Sequence, residues 1–168
     1  MATTVRRRVK GKAATWTGYH RILWPTDFSP LAKAAQPHAV GLAMEANAEL
    51  VLLHVLPSLA AYAVPDLSGA LSVSLQQRSR AAAQRQLRRL EKKVKGPNFR
   101  THTVLTEGVA FHQIIRAAKQ LRCDLIVLAT HGRTGLVHAI MGSVAENVLR
   151  RAPCPVLTVR PLRFQRGA

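Results

Sequence analysis

The stretch DLIVLATHGRTGLVHAIMGSVAENV, residues 124–148, decides how this chain is read. Asp124 to Ala129 is a short apolar run of the strand type. Gly132, Gly135 and Gly142 then punctuate a loop, and Ser143 opens a run with helical character to about Arg151. Glycine lets a backbone pass close to a phosphate. The first N–H groups of the following helix lack intrahelical partners, so with the helix dipole they form an anion site. Ser143 could add a hydroxyl, and His131 and Arg133 add polar or positive groups. A second reading stands beside this one. Ser143-Val144-Ala145-Glu146 fits the capping box S-x-x-E, in which Ser143 is an N-cap. The two are compatible, because a cap uses one N–H and leaves others free.

Working outward, strand-type and helical runs alternate. Arg21 to Trp24 is short, apolar and closed by Pro25. Ser29-Pro30 offers an N-cap with proline in the first turn, before an alanine-rich helix over Leu31–Ala46. Glu49 to Leu56 is nearly all apolar, as a parallel strand covered on both faces would be. A loop, Pro57 to Ala70, leads into a long helix over about Leu71–Lys95, stopped by Gly96-Pro97. Phe99 to Thr106 reads as a strand at an edge. Val109 to Leu121 is helical, with Phe111, Ile114, Ile115 and Ala118 on one face. Pro153 and Pro155 bracket the turn into a last strand, Val156–Val159. This β-α-β-α-β-α-β-α-β order predicts a parallel sheet with helices on both faces, linked by right-handed crossovers. Ligands of such sheets bind where strand order reverses, at the strands' carboxyl ends.

The loops after strands therefore carry the candidates. Asp27, after the first strand, could accept hydrogen bonds from a ribose hydroxyl or base amine, help hold a metal, or cap the next helix. Val55 could wall a flat ring, and His54 reads as a core histidine with a satisfied hydrogen bond. No Walker G-x-x-x-x-G-K-[ST] occurs, and no G-x-G-x-x-G follows the first strand. No Ser-His-Asp or Cys-His set follows from spacing, and the seven histidines form no H-E-x-x-H pair. No efficient enzyme is expected.

The chain has 168 residues and is 48% hydrophobic, enough for one domain with a real core. No apolar run is long enough to span a bilayer and no signal core is present, so a cytoplasmic protein is expected. Cys123 and Cys154 lack metal-ligand spacing and read as small buried thiols. Twenty-five Lys and Arg against eight Asp and Glu leave a formal net charge of +17. The excess sits in a basic tail over residues 1–20, expected to be flexible, in Arg78 to Arg100, and in Arg160, Arg163 and Arg166. Such a field attracts polyanions, although the basic segment carries no interleaved aromatics for stacking on bases.

Over about Tyr19 to Pro161 the chain resembles the universal stress protein family. Pro25-Thr26-Asp27-Phe28-Ser29 is similar to that family's first-strand motif, and Arg151-Ala152-Pro153-Cys154-Pro155-Val156 to its lead into the last strand. The glycine stretch is similar to G-x2-G-x9-G-[ST] of the ATP-binding branch. Ala129 takes the first glycine's place, Gly132 and Gly142 are the second and third, and Ser143 is the hydroxyl residue. The resemblance implies an α/β fold with an open, Rossmann-like five-stranded parallel sheet of order 3-2-1-4-5 and a homodimer formed largely through the last strands. It implies adenine and ribose at Pro25, Thr26, Asp27 and Val55, and phosphates at Ala129, Gly132, Gly142, Ser143, Val144 and Ala145. Arg133 is added as a phosphate contact from its charge. Mg2+ or Mn2+ would accompany the phosphates. The domain then runs over residues 21–161, followed by a short tail over 162–168. The expected function is an ATP-binding stress-response regulator with slow hydrolysis at most. The alternatives are a polyanion-binding or nucleic-acid-binding module on the same scaffold, or a member that works through dimer contacts without nucleotide.

Overall fold

The computed structural model describes residues 18–58, 69–130 and 142–160. The basic tail before residue 18, the stretch 59–68 of the loop expected over Pro57–Ala70, the stretch 131–141 and the end beyond residue 160 lie outside the described residues. Five strands, β1 (Arg21–Pro25), β2 (Glu49–Leu56), β3 (Thr101–Glu107), β4 (Leu125–Ala129) and β5 (Val156–Val159), form one sheet in the order β3-β2-β1-β4-β5. Every pairing is parallel, with Trp24 opposite Leu52 and Leu23 opposite Ile126. The helices are α1 (Gln36–Ala46), α2 (Gly69–Val94), α3 (Ala110–Gln120) and α4 (Ser143–Arg151).

Side chains alternate across a strand, so a strand that is apolar throughout must be covered twice. One set, Ile22, Trp24, Leu50, Leu52, Leu125 and Val127, packs with Ala39 and Ala43 of α1 and Leu87 and Val94 of α2. The other set, Leu23, Val51, Leu53, Ile126 and Leu128, packs with Ile114, Ala117 and Ala118 of α3 and Ala145 and Val148 of α4. The alanines of α1 bring its backbone close to the sheet and leave room for Trp24, which is fully buried.

Two elements differ from the sequence reading. The helix expected over Leu31–Ala46 is broken into a 3-10 turn, Ala32–Ala35, and α1. Pro37 has no N–H to donate to the preceding turn, and it sits in the first turn of α1 where none is needed. The third strand starts at Thr101, not Phe99. Phe99 turns inward and is buried, while the Arg100 carbonyl accepts the Leu50 N–H (2.8 Å). As expected, β3 lies at an edge; β5 is the other.

The amino ends of the strands are tied by polar contacts. Asp124 accepts the backbone N–H groups of His20 (2.7 Å) and Arg21 (3.1 Å). Arg21 pairs with Glu49 (2.5 Å) and donates to the Leu121 carbonyl. The carboxyl ends are arranged differently. From β1 the chain steps outward to β2 and β3, then returns to lay β4 and β5 on the other side of β1. The segments leaving β1 and β4 therefore diverge, and a crevice opens between them.

Candidate functional site

The segment after β1 is shaped by its own short polar side chains. Thr26 Oγ1 accepts the Phe28 N–H (3.1 Å), and Asp27 Oδ1 accepts the Ser29 N–H (2.9 Å). Each closes a small turn two residues long. Ser29 Oγ accepts the Ala32 N–H (3.0 Å) at the 3-10 turn. The helix caps read for Ser29 and Asp27 are thereby corrected: the N-caps of the 3-10 turn and of α1 are Leu31 and Ala35, neither with a side-chain cap bond, so Ser29 and Asp27 hold the loop instead. Phe28 takes a left-handed backbone (φ 64°), which costs a residue with a Cβ about 1–2 kcal/mol. Its ring rests on the His54 imidazole, with centroids 4.3 Å apart. His54 is buried, and its Nδ1–H donates to the Thr26 carbonyl (2.7 Å). It is the satisfied core histidine that the sequence suggests, and it fixes Thr26 at the crevice.

At the end of β4 the Thr130 N–H donates to the Val159 carbonyl (2.9 Å), and the Thr130 carbonyl accepts the Gly142 N–H (2.7 Å). That second bond joins the two ends of the glycine stretch. Gly142 is the N-cap of α4, with an extended backbone (φ −71°, ψ 146°) and no side chain to cap with. The capping-box reading of Ser143 is thereby corrected. Ser143 is the first helical residue and makes no cap bond, because Gly142 already occupies the extended cap position. Glu146 pairs with Arg150 (3.1 Å) one turn on, not with the helix start. The first intrahelical bond runs from the Glu146 N–H to the Gly142 carbonyl (3.0 Å). Among the described residues, no acceptor meets the N–H groups of Ser143, Val144 and Ala145. Three donors and the positive end of a helix dipole thus face the crevice.

The crevice is a cleft of about 300 Å3. Pro25, Thr26, Asp27 and Val55 line one side, and Ala129, Gly142, Ser143, Val144 and Ala145 the other. These are nine of the site residues that the sequence reading picks out. The remaining two, Gly132 and Arg133, lie outside the described residues. Leu53, Leu128, Thr130, Ala110 and Ile114 also line the cleft and were not picked out. Ile114 read only as part of an apolar helix face. No local signal reports that the start of α3 crosses beside the end of β4. The cleft is apolar at the β2 and α3 side and rich in N–H donors at the α4 side. That polarity fits a ligand with a flat ring at one end and an anion at the other.

A second cavity, about 340 Å3, opens under α2 between Phe28, His54, Gln76 and Glu107. Gln76 Nε2 reaches both Glu107 oxygens at 2.8 Å, so this cavity ends in an acid and lacks the helix start. Among the described residues, no three His, Cys, Asp or Glu gather as a metal site, and no helix is long and apolar enough to cross a membrane. The cysteines lie away from the cleft. Burial, with the nearby Cys154 adding, pushes the Cys123 thiol up to about 12. Burial also raises Cys154, which is half-buried where a fully buried thiol was expected.

Comparison with known proteins agrees with this geometry. A family model described as "Universal stress protein family" matches residues 18–160. Universal stress protein MJ0531 of Methanocaldococcus jannaschii is 33% identical over 142 residues, covering 84% of this chain and 82% of that protein. The solved structure of the hypothetical protein MJ0577 superposes with a TM-score of 0.77 at 27% identity, over 86% of this chain and 98% of that one. Two more distant structures share the fold and hold nucleotides. One is a universal stress protein in complex with cAMP (TM-score 0.64, 21% identity, 85% of this chain and 98% of that one). The other is a universal stress protein family protein from Arabidopsis thaliana with AMP bound (TM-score 0.58, 17% identity, 89% of this chain and 96% of that one).

Proposed function

Because the chain belongs to the universal stress protein family, we propose that its strand-end cleft binds an adenine nucleotide, ATP above all, and that the protein acts as a nucleotide-dependent stress-response regulator. The observation that carries this reading is the row of N–H donors at Ser143, Val144 and Ala145, set at one end of a cleft whose other end is apolar. Adenine would lie against Val55 with ribose near Asp27. The phosphates would lie on the start of α4, with Ala129 at the strand end and with Gly132 and Arg133 contributed by the intervening stretch. The cAMP and AMP complexes of fold relatives support the adenosine end of this pose.

Among the described residues, Asp27 is the one carboxylate that lines the cleft, and it accepts the Ser29 N–H. That fits a ribose contact and leaves no base poised to activate water at the phosphate end. Mg2+ or Mn2+ would enter on the phosphates, and the reading is of a switch with slow hydrolysis at most. It includes a cytoplasmic setting and a homodimer paired along β5. Support for the dimer is that β5 is an edge strand and that Leu157 on it is over a third exposed (36%).

The experiment is nucleotide release. Protein purified without added nucleotide is denatured, and the supernatant is analysed by mass spectrometry. The expected result is an adenine nucleotide from the native chain and a several-fold smaller amount from Gly132→Val. Absence of nucleotide, together with no saturable ATP uptake by either protein, would overturn the reading in favour of a member that works through dimer contacts alone.

A further inference from the structure

The long helix α2 places its charges in a pattern that the cleft does not use. An α-helix turns 100° per residue, so residues 7, 11 and 14 positions on return to within about 40° of the starting direction. Arg78, Arg85, Arg89 and Lys92 have that spacing and form one crest, with Arg88 and Lys93 on its flanks. Ala83, Leu87 and Val94 point the opposite way and are buried against the sheet. The crest therefore faces away from the protein. From Arg78 to Lys92 it is about 21 Å long at 1.5 Å per residue.

Among the described residues, none of these cations is neutralised by an ion pair. The ion pairs among the described residues are Arg21–Glu49, His102–Glu49 and Arg150–Glu146, and none involves α2. The one acid on this part of the helix, Glu91, lies off the crest and meets the Thr101 hydroxyl (3.5 Å). Isolated rows of like charge repel, and a helix gains nothing from them. A row this long without counter-charges has its natural complement in a polyanion of fixed, dense spacing.

We propose that the α2 crest is a docking surface for the phosphate backbone of duplex nucleic acid. The helix contains no aromatic residue, so it offers no platform for stacked single-stranded bases. Its own apolar side is used by the sheet, so over Arg78–Lys92 it has no large side chain to insert between lipid tails. Binding by this surface is independent of sequence and driven by counterion release. It is independent of the nucleotide cleft, which opens at the carboxyl end of the sheet between β1 and β4.

The test uses the full chain and a labelled DNA duplex of about 20 base pairs, read by fluorescence anisotropy across a salt series. The crest variant is Arg78→Gln/Arg85→Gln/Arg89→Gln. The control variant, Arg116→Gln/Lys119→Gln/Arg122→Gln, removes the same charge on α3 and in the turn just after it, on the other face of the sheet. Three lost phosphate contacts should flatten the slope of log K against log salt by about 2.7, at about 0.9 per contact. The control should flatten it by less than half of that. Equal effects of the two variants would show that net charge alone binds DNA and would overturn the proposal, as would native DNA affinity in a crest variant that has lost binding to phosphatidylserine vesicles. Melting temperatures of both variants check that each is folded.

Discussion

Replacing Ser143 by Glu sets stability and affinity against each other. Ser143 is the first residue of α4, exposed, and makes no side-chain cap bond. A carboxylate there faces the uncompensated N–H groups of the first turn. Charge–dipole attraction at a helix start contributes about 0.3–1 kcal/mol. For a domain of this size that raises the melting temperature by about 1–4 °C. The same carboxylate would lie within several ångströms of a bound phosphate. Two like charges about 4 Å apart repel by about 1 kcal/mol in water and about 4 kcal/mol near a protein surface. Ser143 is exposed, so the low end applies. About 1–2 kcal/mol corresponds to ATP affinity weaker by roughly fivefold to thirtyfold. Ser143→Ala keeps the backbone donors and loses one neutral hydroxyl contact, about 1 kcal/mol or roughly fivefold. Differential scanning calorimetry on nucleotide-free protein and isothermal titration with ATP read the two quantities. A Glu variant that is more stable and still binds ATP as tightly as the native chain would refute the placement of phosphates on α4.

Asp27→Asn should keep the native melting temperature, because an amide oxygen can still accept the Ser29 N–H, and should weaken adenosine binding; Asp27→Ala should lower both, the stability by about 1 kcal/mol in urea unfolding. Leu157→Arg, placing a charge on the exposed side of the β5 edge, should convert the proposed dimer to monomer in light scattering, and a native chain that is already monomeric, or a variant that keeps the dimer mass, would refute pairing along that strand. Cys123 should stay silent to a thiol reagent at pH 8 until the protein unfolds, while Cys154 reacts more readily, because the Cys123 thiol is held up at about 12. The raised value also sets a pH dependence. Stability from keeping this thiol neutral is fully present below its ordinary value of 9.0 and is lost as pH rises toward about 12, so Cys123→Ala should have a flatter alkaline unfolding profile.

The sheet was legible because its strands are bounded by residues that cannot continue them. Pro57 after β2, and Pro155 before β5, mark ends that the structure reproduces at Leu56 and Val156. The start of α4 was legible at Ser143, but the role of Ser143 was not. S-x-x-E fits a capping box by spacing, yet Gly142 carries the cap backbone and Glu146 is taken by Arg150. Both outcomes depend on which residue is extended, and spacing does not report that. Pro37 was overlooked as a breaker within the Leu31–Ala46 pattern because alanine periodicity continues through it. In the site, the residues after strands were found from their place at strand ends. Ala110, Ile114 and Thr130 were missed because their roles arise from how α3 crosses the sheet and how the Thr130 carbonyl reaches Gly142, both set by tertiary packing.

The central claim is that nucleotide phosphates sit on the N–H groups at the start of α4. Amide resonances of the isotope-labelled full chain, followed during titration with ATP, test it most directly. The account predicts saturable shifts at Ser143, Val144, Ala145, Asp27 and Val55, with Arg78 to Lys92 along α2 unmoved at physiological salt. Shifts confined to α2, or a cleft whose amides stay still at saturating ATP, would contradict it.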